Sequence, residues 1–191
     1  MSVILATRNE HKLREFRRLL AVTELEPLPD EVELPPETGE TFVENAFGKA
    51  RAAAAQTGRV AIADDSGIAA DALGGRPGVR SARYAGENAS DAENLALLIR
   101  EVPAGSGLHY VCALVYVDPA SGEELVFERR CDGVMAPAPR GERGFGYDPV
   151  FVPVDDPTGR TMAELSDDEK DAISHRGRAL RAFEEWLTAE R

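Results

Sequence analysis

Asp64 and Asp65 stand side by side in VAIADDSGI, residues 60–68, directly after an apolar run and before Ser66 and Gly67. Burying two adjacent carboxylates without partners is costly. The stretch therefore predicts a buried strand from Val60 to Ala63 that ends at an exposed acidic pair, with a Gly turn aiming both carboxylates into a cleft. Asp, Ser and Gly are also ordinary turn formers, and the tetrapeptide alone favours a polar turn. With another carboxylate nearby, the same pair would hold a hard cation such as Mg2+ and activate a water. Glu37 is the candidate third carboxylate. Lys49 could neutralise phosphate or orient an aspartate; four residues after Asn45, it shares a helix face with it. The plainer alternative is a solvated helix face with an intrahelical pair worth about 0.2–0.5 kcal/mol.

Two further polar clusters follow apolar segments. Thr7-Arg8-Asn9-Glu10-His11-Lys12 combines charged and neutral donors, which suits the oxygens of a polyphosphate. It lacks the Gly-rich segment and GK[ST] ending of a Walker loop, and read alone it is first of all a capped helix start with solvated basic residues. The third cluster joins Phe145-Gly146-Tyr147-Asp148 to Lys170, His175 and Arg176. Aromatic rings in a Gly-rich loop can stack on a base, and His175 and Arg176 can donate to a carbonyl oxygen. The alternative is a turn packed by two aromatics beside a basic helix turn.

The elements that must position these residues follow from hydrophobic spacing. Ser2 to Ala6 read as a strand, and Leu13, Phe16, Leu19 and Leu20 as the apolar face of a helix. Strand, polar loop and helix in that order present free N–H groups to anions. Residues 24–36 are Pro- and acid-rich, with room for one short strand. Thr41 and Glu44 form a capping box opening a helix that Gly58 stops. Ser90 with Glu93 opens a helix carrying Leu95, Leu97, Leu98 and Ile99. Leu108 to Val117 and Glu124 to Val134 are long strands joined by a turn. Ser166 with Glu169 opens one last helix carrying Ile173, Leu180, Phe183, Trp186 and Leu187. The pattern is a mixed α/β fold built on a long curved sheet flanked by helices, as a single domain over residues 1–191.

Bulk properties exclude several classes. A net charge of −12 over 191 residues repels a phosphate backbone, so nucleic acid is not the expected partner. A local basic pocket can still bind a small anion, because charge at contact distance outweighs net charge. No segment approaches the roughly 20 apolar residues of a membrane span. Cys112 and Cys131 are too few and scattered for a disulfide framework or zinc site, which fits a cytoplasmic location.

Five stretches in order, LATRNEHKLREF, ETGETFVENAFGKA, AIADDSGIAADALGGRPGVRSARYAG, GFGYDPVF and EKDAISHRGRAL, cover nearly the full length. On these the chain resembles the inosine/xanthosine triphosphate pyrophosphatases. The resemblance implies two lobes with a central substrate cleft, a homodimer, Mg2+, and hydrolysis of ITP, dITP and XTP to the monophosphate and pyrophosphate. It implies that Thr7 to Lys12 and Lys49 hold phosphate. Glu37 and Asp65 would be associated with the metal, with Asp64 alongside. Asp65 would be the proton acceptor with Ser66 adjoining the substrate. Phe145, Gly146, Tyr147 and Asp148 would line the base and sugar pocket, completed by Lys170, His175 and Arg176. Many relatives carry Gly where this chain has Arg8 or His11. A donor aimed at the 6-oxo group would favour hypoxanthine and xanthine over adenine. A module that binds such nucleotides without turnover is the rival from another class, and it needs no general base.

Overall fold

A computed structural model of the chain describes residues 2–21 and 23–189. Strands and helices alternate at first: β1 (Ser2–Leu5), α1 (Glu10–Leu19), β2 (Glu24–Pro27), α2 (Phe42–Thr57) and β3 (Ala61–Ala70). Then come α3 (Asp91–Glu101), β4 (Gly107–Val117), β5 (Glu124–Met135), β6 (Phe151–Pro153), α4 (Asp167–Ile173) and α5 (His175–Ala189). The strands are ordered β2-β1-β3-β4-β5-β6. β1 pairs parallel with β2 and β3, and β6 pairs antiparallel with β5, so the sheet is mixed. The architecture is the mixed α/β class expected. Among the described residues, no helix is long and apolar enough to cross a membrane.

The chain divides into two compact units. The first comprises the residues up to Asp65, Cys112–Arg129 and the chain from Ala179 onward; the second comprises Ser66–Val111 and Arg130–Arg178. Strand alternation builds the first unit. Successive side chains of a strand point to opposite faces, and the two cores obey that parity. Val3, Leu5, Ile62, Cys112, Leu114 and Tyr116 pack with Phe16 and Leu20 from around α1 and with Leu180 and Phe183 of α5. The intervening residues Ile4, Ala6, Ala61, Ala63, Val115 and Val117 pack with Ala46, Ala50, Ala53 and Ala54 of α2. Alanine at those α2 positions lets the helix lie close against the sheet. The second unit has one core, in which Ile68, Leu108, Tyr110, Met135 and Phe151 from the strands meet Leu98 of α3 and Met162 and Leu165.

Local signals set the helix ends as read. Thr41 caps α2 through the backbone N–H of Glu44 with the reciprocal box closed, and Gly58 stops it at φ 66° in the left-handed region. Boxes also close at Ser90–Glu93 and Ser166–Glu169.

Two elements differ from expectation. The strand expected to end at Ala63 continues through Asp64 and Asp65 to Ala70. The acidic pair is therefore not an exposed strand end: Asp64 is 0% and Asp65 5% exposed. Cations and amide donors from two helices compensate the carboxylates, which removes the reason for the strand to stop. The single last helix is two. Ser174 is extended at ψ 154° and ends α4, and its hydroxyl accepts the Gly177 N–H at 3.0 Å at the start of α5. A Cβ on Gly177 would lie 2.0 Å from the Asp171 carbonyl oxygen, so the break requires glycine there.

Because Thr41 fixes the start of the helix that carries Asn45 and Lys49, Thr41→Ala is expected to destabilise the protein by about 1 kcal/mol. Urea denaturation measures this as a lower midpoint at an unchanged slope.

Candidate functional site

The parity that sorts the first unit's core also separates the two aspartates. Asp64 shares its face of β3 with Ile62, toward α1, and Asp65 shares its face with Ala61 and Ala63, toward α2. On the α1 side, Lys12 Nζ lies 3.1 Å from Asp64 Oδ2, and Cys112 Sγ is 3.9 Å from the same oxygen. On the α2 side, Asn45 Nδ2 donates to Asp65 Oδ2 at 2.9 Å. The Asn45 side-chain oxygen Oδ1 accepts the Gly39 N–H at 2.8 Å, which fixes the amide so that its NH2 faces Asp65. Lys49 Nζ donates to Glu37 Oε1 at 2.6 Å and to the Asp64 backbone carbonyl at 2.7 Å, and lies 4.0 Å from Asp65 Oδ1.

Burial dominates the electrostatics of Asp65. It pushes the carboxyl pKa above its ordinary value, although the charges of Lys49 and Lys12 and the Asn45 hydrogen bond pull the other way. Burial acts to lower the pKa of Lys49, but Asp64, Asp65 and Glu37 outweigh it and the pKa is raised. Lys49 is thus held as a cation beside a carboxylate that takes up a proton more readily than a free one.

The donor set fits a hard cation in a limited way. Carboxylate oxygens are what Mg2+ takes, usually one or two from the protein with waters and substrate phosphates completing the shell. Glu37 and Asp65 meet that description, with Asp64 adjacent. Among the described residues, no three acidic, His or Cys side chains form a preassembled metal cluster. The arrangement suits a cation bound jointly with phosphate rather than a closed protein cage.

In the second unit, Asp148 is the hub. Buried to 3% exposure, it accepts Lys170 Nζ at 2.7 Å and the Phe145 N–H at 2.9 Å on Oδ2, and the Tyr110 hydroxyl at 3.1 Å on Oδ1. The Phe145 ring is half-buried, with Lys170 Nζ 5.0 Å and the Arg176 guanidinium carbon 5.9 Å from its centroid. Arg176 also donates to the Ser66 hydroxyl at 2.8 Å. His175 stacks on Tyr110, with centroids 4.6 Å apart and planes 10° apart. Gly146 takes the left-handed φ of 62°, and its N–H donates to Asp91 at 3.1 Å. Tyr147 is buried and donates to the Ser81 carbonyl at 2.7 Å; burial pushes its phenol pKa up.

The sequence-predicted residues therefore take different stations. Lys12, Glu37, Lys49, Asp64 and Asp65 come together in the first unit. Ser66, Phe145, Asp148, Lys170, His175 and Arg176 form a connected group in the second, with Tyr147 tying the loop down. The remaining residues of the first loop do local work. Asn9 caps α1 through the His11 and Lys12 N–H groups, and Thr7 accepts the Asn9 N–H at 3.2 Å. Glu10 lies exposed in the first helical turn, and His11 Nδ1 is 2.8 Å from Arg14. The Arg8 guanidinium is occupied by the carbonyls of Leu28, Pro29, Asp30 and Val32 at 2.7–3.2 Å. Two participants carried no role in the sequence reading. Asn45 was visible only as a face-mate of Lys49, and Tyr110 gave no signal, being an aromatic in an apolar strand.

The chain resembles a HAM1 protein structure from Coxiella burnetii (TM-score 0.87, 41% identity, 99% of each chain covered). It resembles the Staphylococcus aureus Ham1 protein as closely (TM-score 0.87, 35% identity, 100% of each chain). The sequence matches the Ham1 family over residues 3–186, and the chain belongs to that family. Among curated relatives, the dITP/XTP pyrophosphatase of Frankia alni is 52% identical, covering 95% of this chain and 94% of the relative. That of Geobacillus kaustophilus is 50% identical, covering 96% and 92%.

The raised Asp65 pKa carries a stability consequence. A carboxyl whose folded pKa exceeds its unfolded value opposes folding when ionised, and that opposition fades as pH falls through the folded pKa. Asp65→Asn keeps the shape and removes the charge. Its melting temperature in EDTA at pH 7.5 should lie above that of the wild type, with the gap closing as pH is lowered into the acid range. A variant melting lower at pH 7.5 would contradict the assigned burial cost.

Proposed function

We propose that the chain hydrolyses deaminated purine nucleoside triphosphates, ITP, dITP and XTP, to the monophosphate and pyrophosphate, and so keeps these bases out of DNA and RNA. The observation that carries the reading is the buried Asp64–Asp65 pair with Lys12, Lys49, Asn45 and Glu37 around it. The names of the relatives support it. A homodimer in the cytoplasm, with Mg2+, belongs to the same proposal.

In this reading Lys12 and Lys49 neutralise the triphosphate. Glu37 and Asp65 would hold Mg2+, with Asp64 beside them; when bound, the ion makes a water more acidic and offsets phosphate charge. Asp65 accepts the proton of the water attacking the α-phosphorus, with pyrophosphate as the leaving group. A free aspartate, with a pKa of about 3.9, is a weak base at neutral pH. Burial raises the Asp65 pKa above its ordinary value, which makes it a stronger base than a free aspartate. Asn45 and Lys49 fix its orientation.

The second unit's cluster is assigned to the base. Phe145 offers a ring for stacking, and Lys170, His175 and Arg176 supply donors. Such donors can donate to a 6-oxo oxygen and oppose the 6-amino group of adenine. Guanine shares the 6-oxo group and must be rejected at its 2-amino group. A buried donor left unpaired there costs about 1–3 kcal/mol, or one to two orders of magnitude in rate.

Pyrophosphate release from ITP, dITP, XTP, GTP and ATP, with Mg2+ and with EDTA, tests the proposal. Release from the first three in Mg2+ alone is expected, with the monophosphate as co-product. Asp65→Asn should lower kcat by about 10²–10⁴-fold. Release from ATP would discard the base assignment but keep the aspartate chemistry. Binding of ITP with no release would instead establish a nucleotide-binding module.

A further inference from the structure

Tyr110 is the fourth residue of β4 and faces the second unit's core with Leu108 and Phe151, at 7% exposure. A tyrosine hydroxyl turned into a core needs a partner, and here the partner is Asp148 Oδ1 at 3.1 Å. The ring lies against Phe151, with centroids 4.5 Å apart, and is stacked nearly parallel to the His175 imidazole. One side chain thus touches both arms of the donor cluster. Its face backs His175. Its hydroxyl holds the carboxylate that fixes the Lys170 ammonium and the Phe145 backbone N–H.

We propose that Tyr110 is a specificity-positioning residue, aligning His175 and the Asp148–Lys170 pair for recognition of the purine 6-oxo edge. The inference rests on the base-pocket reading above. An imidazole stacked on a ring cannot turn about its Cβ–Cγ bond without losing the overlap, so its nitrogens stay in one plane. Hydrogen bonds weaken steeply once the donor angle falls below about 120°. A donor free to tilt would lose the preference for an acceptor at one fixed place. Asp148 works similarly. With Lys170 and Phe145 on Oδ2 and Tyr110 on Oδ1, both oxygens are held, so the carboxylate plane is set and Lys170 is set with it. The hydroxyl acts through Asp148 and the ring acts through His175, so the two contributions separate by mutation.

Tyr110→Phe keeps the stack and removes the hydroxyl; Tyr110→Leu removes both. Wild type and both variants are assayed for kcat and KM on ITP, XTP, GTP and ATP, with the melting temperature measured in parallel. Tyr110→Phe is expected to raise KM for ITP about tenfold, the order of one hydrogen bond to a charged group, with kcat within about twofold. Tyr110→Leu is expected to lower the ITP-over-ATP ratio of kcat/KM by a further factor of about ten. A merely structural role would lower the melting temperature and reduce activity on all four nucleotides alike, and that result overturns the proposal. Unchanged KM and selectivity in Tyr110→Phe, beside a selective wild type, also overturns it and leaves the pocket reading intact. Since Tyr110→Phe is nearly isosteric, it decides the matter even if Tyr110→Leu fails to fold. A wild type with no preference for ITP overturns the pocket assignment and the role of Tyr110 with it.

Discussion

Two neighbouring residues of a buried strand must point to opposite faces, and here both are aspartates. This constraint organises the first unit. Neither carboxylate can be left bare in an apolar layer, so each face of β3 needs its own polar device. Toward α1 the device is Lys12, carried three residues beyond the Asn9 cap. Toward α2 it is Asn45 and Lys49, one helical turn apart. The rest follows from keeping those helices at the right distance. The alanines of α2 bring it close, and Phe16 and Leu20 seat α1 against the opposite layer. Arg8, whose guanidinium gathers four carbonyls between Leu28 and Val32, pins the segment that closes the α2-side core.

The second unit solves a similar problem with one carboxylate. Asp148 would be costly alone at 3% exposure. It draws an ammonium from α4, a backbone N–H from its own loop and a hydroxyl from β4. The bond from the Phe145 N–H also defines the loop there, so the device that makes Asp148 tolerable also shapes the cluster. The break at Ser174 contributes as well. It starts a new helix at His175, and both His175 and the following Arg176 are buried instead of lying along a solvated surface.

Charge works at two scales. The chain carries a net charge of −12, yet both clusters present cations. At an ionic strength of about 0.15 M the Debye length is about 8 Å, so distant acidic residues are screened while Lys12 and Lys49 act at contact range. An acidic protein can in this way hold a small polyanion and still repel long nucleic acids. The partial burial of these lysines strengthens their effect, because opposed charges interact more strongly where water is scarce.

The sequence by itself determined most of the elements and which charged residues stand out beside them. Period-two and period-3.6 spacing located the strands and helices, capping boxes at Thr41, Ser90 and Ser166 set helix starts, and Gly58 set an end. All of these are local, written within four residues of chain. The charged residues of both clusters were legible because Asp, Lys and Glu are unusual beside apolar runs, whereas Asn45 and Tyr110 were not. What tertiary structure alone decided was partnership. No local rule says that β3 runs through its acidic pair, since that depends on Lys12 and Asn45 arriving from elsewhere. Nor does one say that the Arg8 guanidinium holds a loop 20 residues away, or that Tyr110 meets Asp148 across 38 residues. Burial of a polar group is settled by the partners the whole fold supplies, and a one-dimensional reading sees the group but not the partner.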